Sequence, residues 1–212
     1  MLAFRSISNS ANARFFVTSI LPLAGLGNSA SLIWCAETAT RTALLYGMLS
    51  SLTFEFVVRQ KVSGTNLNFF IVNQLPLIPI ESIELADIGL IVPRILELTY
   101  TATSLESFYT DLVAENRDWD KRTSGERGEP WQWDPLRRAV LRAELDALYA
   151  RLYGLTRDEL RYVLDPAEVM GSDHPSETFR VLKDKEVRQL GEYRTQRLVL
   201  EAWDRMESGQ LL

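Results

Sequence analysis

One cysteine and one histidine stand among 212 residues, Cys35 and His174, and that scarcity excludes several chemistries. A lone cysteine closes no internal disulfide, so no framework of bridges points to an oxidising compartment, and a cytoplasmic protein is the simplest expectation. Structural zinc needs four ligands dominated by Cys and His, which this chain does not hold. A Ser-His-Asp or Cys-His system would have to use His174, and its setting, Gly171-Ser172-Asp173-His174-Pro175, is a turn sequence with no nucleophile-elbow pattern nearby. Uninterrupted apolar runs are missing as well. Residues 15–36 carry no charge and follow Arg5 and Arg14 as a signal core would, yet Pro22, Gly25, Gly27, Asn28, Ser29 and Ser31 break them up. A membrane span needs roughly 20 mainly apolar residues and a signal core roughly 7 to 15, so two buried strands around a turn are the better reading. Gly25-Leu26-Gly27 lacks the third glycine of a dinucleotide loop and the lysine of a phosphate loop, which leaves a hairpin turn. No carboxylate pair stands apart as acid and base, because the acidic residues beyond 110 mostly alternate with arginine as on solvated helix faces.

What is present is an ordinary globular composition, 46% hydrophobic, with a charge that is unevenly placed. Residues 1–80 hold Arg5, Arg14, Arg41, Arg59 and Lys61 against Glu37 and Glu55, a balance of +3, and the rest of the chain carries -8 of the total of -5. A polyanion would meet the first part. Three short β segments are expected at 2–7, 14–21 and 31–35, then an amphipathic helix over 43–58 with apolar residues at Leu44, Leu45, Met48, Leu49, Leu52, Phe56 and Val57. The turn 62–66 ends that helix, and Asn66 is placed to cap a short helix through Asn73. Farther on, helical patterns cover 83–101, where Pro93 should kink or divide the helix, and 104–114. Residues 117–133 look like an exposed insertion carrying Trp119, Trp131 and Trp133; these either stack on an unpaired base or, the preferred reading, pack on the body. Asp134-Pro135 starts a helix that Gly154 ends, and Thr156-Arg157-Asp158-Glu159 is a capping box. The expected fold class is α+β: a small mixed sheet with a long helix in an α/β lobe over 1–80, then a mainly helical support and interaction lobe over 81–212.

Two stretches are more specific. One is Arg59-Gln60-Lys61-Val62-Ser63-Gly64-Thr65-Asn66-Leu67-Asn68-Phe69 leading into Gln74-Leu75-Pro76; the other pairs Glu177-Thr178-Phe179-Arg180-Val181-Leu182-Lys183 with Gly191-Glu192-Tyr193-Arg194-Thr195. Both resemble the C-terminal, target-recognition region of bacterial DNA adenine methyltransferases of the type IIG restriction-modification kind and of related phage-defence systems. Phe4-Arg5-Ser6-Ile7 and Ser19-Ile20-Leu21-Pro22 are similar to the start of that region, so the resemblance covers nearly the whole chain. It implies that the chain recognises duplex DNA. The Asn-Pro-Pro-Tyr motif that holds the flipped adenine in that family is absent, as is the glycine-rich methyl-donor loop, so methyl transfer and its S-adenosylmethionine are expected of a catalytic domain or subunit outside this chain.

Duplex DNA is gripped by Arg and Lys on phosphates and read by Arg, Asn, Gln, Ser or Thr on base edges. Arg59, Lys61, Ser63, Thr65, Asn66 and Asn68 supply that mixture in one turn and are the candidate DNA-binding residues. The competing reading makes Gly64 and Asn66 a helix end and a cap, with Arg59 and Lys61 as partners of the helix dipole. A second class of function stays open beside DNA recognition: a protein-protein adaptor of a defence complex, working through the helical part.

Overall fold

The computed structural model describes residues 1–34, 38–122, 126–174 and 178–211. Cys35, at the end of the third expected strand, and Glu177, in the second resemblance stretch, lie outside the described residues. The fold is α+β, three short strands followed almost entirely by helices. Among the described residues no helix is long and apolar enough to cross a membrane.

Strands β1 (Leu2–Arg5), β2 (Thr18–Ile20) and β3 (Ala30–Ile33) form one sheet in the order β2-β1-β3. Both pairings are antiparallel, so the sheet is not the mixed one expected. The Gly25–Gly27 stretch is correspondingly not a hairpin turn. β2 and β3 do not pair with each other, because β1, buried at Leu2, Ala3 and Phe4, takes a partner on each edge. The connection through 21–29 crosses from one side of β1 to the other.

The expected helix over 43–58 is two helices, α1 (Ala39–Ser50) and α2 (Leu52–Lys61). Ser51 adopts an extended backbone and accepts from Phe54 N–H through its hydroxyl, as an N-cap does. The Leu52 N–H, which such a break leaves without a helical partner, is taken by Asp146 Oδ1 at 2.7 Å, from 94 residues away. The next cap is two residues later than expected: Asn68, not Asn66, accepts from Ile71 N–H at 3.0 Å and opens α3 (Phe69–Val72).

Pro93 does not divide its helix: α4 (Leu85–Thr99) continues past it. Proline removes one N–H and crowds the carbonyl four residues back. Here that carbonyl belongs to Gly89, which has no side chain, and Lys121 Nζ donates to it at 3.3 Å. After α5 (Glu106–Glu115), Trp119 and Trp131 hold the described residues between 116 and 134 against the body rather than away from it. Trp131 packs edge-on to Tyr100, takes the Arg122 guanidinium on its face at 3.9 Å, and donates its backbone N–H to Tyr100 O. Trp119 also packs on the core, whereas Trp133 stays 64% exposed under Arg138.

α6 (Pro135–Leu152) is the wall shared by two apolar clusters. Asp134 caps it through Leu136 N–H and Arg137 N–H, with Pro135 at its first position. Leu141, Leu145, Leu148 and Tyr149 share a cluster with α1 and α4, while Ala143, Ala147 and Ala150 form a small-residue stripe on the other side. That stripe admits α10 (Arg194–Glu207), with Val199, Ala202 and Trp203 buried beside it. α7 (Arg157–Leu164) begins with the expected capping box, α8 (Pro166–Met170) follows Asp165, and α9 (Arg180–Leu190) ends at Gly191 in the left-handed conformation. The first cluster runs from Leu2 to Tyr149, so residues 1–80 share their core with α4, α5 and α6.

Candidate nucleic-acid interface

Segment 62–68 is pinned to the start of the chain. Leu67 is buried and donates its N–H to Ser6 O at 2.7 Å, Ser8 N–H reaches Thr65 O at 2.8 Å, and Ile7 and Asn66 form an isolated antiparallel bridge. These bonds extend the sheet's pairing beyond β1 and hold Ser63, Gly64 and Thr65 beside the loop 9–12. The loop is held from the other side by α2. Glu55, buried at 1% exposure, accepts from Phe15 N–H at 2.6 Å, Phe16 N–H at 2.8 Å and Arg59 Nε at 2.6 Å. Arg59 then donates through its other nitrogens to Ser10 O at 3.2 Å and Asn12 O at 2.8 Å.

Between these parts lies an open groove of about 650 Å³, and its far wall comes from the other end of the chain. Thr178, Arg180 and Val181 face Asn9, Ser10, Gln60, Ser63 and Thr65 across it. Gln60 Nε2 comes within 3.5 Å of Thr178 Oγ1, and the Arg59 guanidinium lies 5.8 Å from the centre of the Phe179 ring. Two sequence stretches separated by more than a hundred residues thus meet at one surface. Among the described residues that line it, the charged ones are Arg59 and Arg180, both cations.

The candidate residues divide by what already occupies them. Arg59 is committed to Glu55 and two backbone carbonyls, so it shapes the groove more than it reaches from it. Lys61 is exposed and makes no ion pair or hydrogen bond with the described residues; the Ser63 and Thr65 side chains are exposed and also without a hydrogen bond there. Asn66 and Asn68 lie on the flank rather than in the wall, and Asn68 Oδ1 is used by its helix. Next to them Phe69 and Phe70 are 65% and 76% exposed. Asn9, Ser10, Gln60, Thr178 and Arg180 were absent from the candidate set. Gln60, Thr178 and Arg180 stand inside the resemblance stretches, which is the signal that marked them; Asn9 and Ser10 carry no local signal beyond turn chemistry.

Elsewhere the chemistry is sparse. His174 sits edge-on to Tyr162, with ring centres 6.2 Å apart. Among the described residues no three His, Cys, Asp or Glu side chains are grouped so as to hold a metal ion. No family model, no curated protein and no solved structure matches this chain.

Proposed function

We propose that this chain is the DNA-recognition part of an adenine-specific DNA methyltransferase of the restriction-modification or phage-defence kind, holding duplex DNA for a catalytic domain supplied outside it. The observation that carries this reading is the groove in which the 59–65 turn and the 178–181 segment, the two stretches of the resemblance, stand face to face. Its walls offer hydroxyls and carboxamides, which both donate and accept, together with guanidinium groups, the side-chain types that bond base edges and phosphates. The exposed cation Lys61 sits at the end of α2 beside it. Base extrusion and methyl transfer, with S-adenosylmethionine, belong to the catalytic domain, and a firm hold on the flanking duplex is what an extruded base requires.

The test is fluorescence anisotropy of the whole chain with a duplex over a range of salt. Arg59→Ala would undo the loop as well as any contact, so the informative changes are Lys61→Ala, Arg180→Ala and the pair Ser63→Ala with Thr65→Ala. Binding should weaken as salt rises, and loss of a phosphate contact at Lys61 or Arg180 should flatten the salt slope by about one unit. Absence of salt-sensitive binding even at low ionic strength overturns the reading.

One observation favours the adaptor instead. Leu23 and Trp34 are 89% and 79% exposed beside Leu32, an apolar patch at the edge of the sheet of the kind that marks protein contact sites. Changing Trp34 to Ser should leave DNA binding intact and remove a protein partner if that surface is the working one.

A further inference from the structure

On the other side of the Arg14-Phe15-Phe16 segment from the groove lies a separate crevice, formed where β2, α1 and α6 meet. Its volume is about 190 Å³, somewhat more than the ~150 Å³ of a cavity that holds a benzene ring. The floor is apolar, with Phe16, Ile95, Leu98 and Leu145. Gly47 forms part of the wall.

The polar groups around it are of both signs and incompletely used. Asp146 is 4% exposed; its Oδ1 accepts from Leu52 N–H, but Oδ2 accepts no hydrogen bond from the described residues and has only the Arg14 guanidinium at 3.7 Å. Arg14 spends one nitrogen on Ser50 O at 3.2 Å. Arg142 lies on the rim, exposed, with no hydrogen bond or ion pair among the described residues, and the Tyr46 hydroxyl has no hydrogen bond there either. A simple anion would meet the Asp146 carboxylate, and a simple cation would meet the two guanidinium groups. A molecule that carries both charges on a compact apolar body satisfies all of them.

We propose that this crevice binds a small zwitterion of the α-amino acid class. The ammonium group donates to Asp146 Oδ2, the carboxylate accepts from Arg142 and Arg14, and an apolar side chain covers Phe16, Ile95 and Leu98. The site goes beyond the DNA reading and stands or falls without it, since it uses none of the groove residues.

The probes are L-leucine and L-phenylalanine at millimolar concentration, titrated into the full chain without DNA and followed by saturation-transfer NMR and calorimetry. Two further probes split the charges: 4-methylpentanoate, which is leucine without its amine, and isoamylamine, which is leucine without its carboxylate. We expect saturable binding of one of the amino acids, with both half-probes weaker by about tenfold or more, as loss of a charged hydrogen bond requires. Arg142→Ala, a change at an exposed side chain, should weaken binding about tenfold with an unchanged melting temperature; Asp146→Asn should weaken it too, but that change also touches the fold. No saturable binding of either amino acid overturns the proposal. So does 4-methylpentanoate binding as tightly as leucine, which describes an anion site only, or binding indifferent to Arg142→Ala.

Discussion

At the scale of single residues the structure separates side chains that look alike in the sequence. Arg59 and Lys61 are two residues apart and of one charge, yet Arg59 closes onto a buried carboxylate and two carbonyls while Lys61 points at solvent. Arg59→Ala should therefore cost about 2–4 kcal/mol of stability, because it leaves Glu55 buried with a charge that only two N–H groups answer. Lys61→Ala should lie within about 0.5 kcal/mol of the wild type, and urea titration of the two variants checks the contrast. Gly47 is a second such case. A methyl group there would stand 2.6 Å from Tyr149 Oη and 2.8 Å from a ring carbon, and that ring is fully buried with its hydroxyl donating to Leu44 O. Gly47→Ala should then destabilise by about 1–3 kcal/mol through overpacking, although alanine is the better helix former. Asp146 adds a pH signature. Burial, partly offset by Arg14, pushes its carboxyl up to about 6. The folded state then holds a proton that the unfolded chain has already released, so this group's contribution to stability falls as pH rises from about 4 to about 6. Chemical unfolding of wild type and Asp146→Asn across that range should show the wild type losing about 3 kcal/mol relative to the variant. A pH-independent difference would mean that the carboxyl stays ionised throughout.

Among the elements, those closed by local chemistry were legible from the sequence and those closed by distant partners were not. Asp134-Pro135 and Thr156 through Glu159 start helices because the cap, the first position and the third position are neighbours in the chain, and both are found as expected. Thr156→Ala should cost about 1 kcal/mol, measured as a drop in unfolding midpoint, since it leaves the first turn of α7 without its hydroxyl. The break at Ser51 was not legible, because the group that receives the Leu52 N–H is Asp146 on another helix. Which of the two outcomes open at Pro93 holds was not legible for the same reason: α4 is not divided there, and Lys121, which donates to the Gly89 carbonyl, comes from the insertion. The strand order escaped as well. Periodicity marks which residues alternate, but not that Leu2–Arg5 would stand between the other two strands.

For the molecule as a whole, the core crosses the line drawn after residue 80. Leu2, Phe4 and Phe16 belong to one cluster with Ile91, Ile95, Leu96 and Tyr149, and Glu144 joins Arg94 of α4 to Arg205 of α10 at 2.8 and 3.0 Å. The chain should accordingly unfold in one cooperative transition by circular dichroism and calorimetry, and a piece ending at residue 80 should not fold alone, because it would leave the inner faces of α1 and the sheet uncovered. Two resolved transitions would instead divide the molecule into separately stable lobes.

Composition, local capping and apolar periodicity were enough, by themselves, to determine the α+β class, most of the helices and the positive bias of the first eighty residues, since these depend on neighbours in the chain. They also marked the 59–68 turn, and the resemblance marked the 177–183 stretch, but as separate features. Only the tertiary structure decided that these two form one groove, that Arg59 is spent within it, and that Arg14, Arg142 and Asp146 surround a crevice on the other side. Each of those depends on contacts between residues tens to more than a hundred positions apart, which packing of α6 against both ends of the chain creates and no local pattern records.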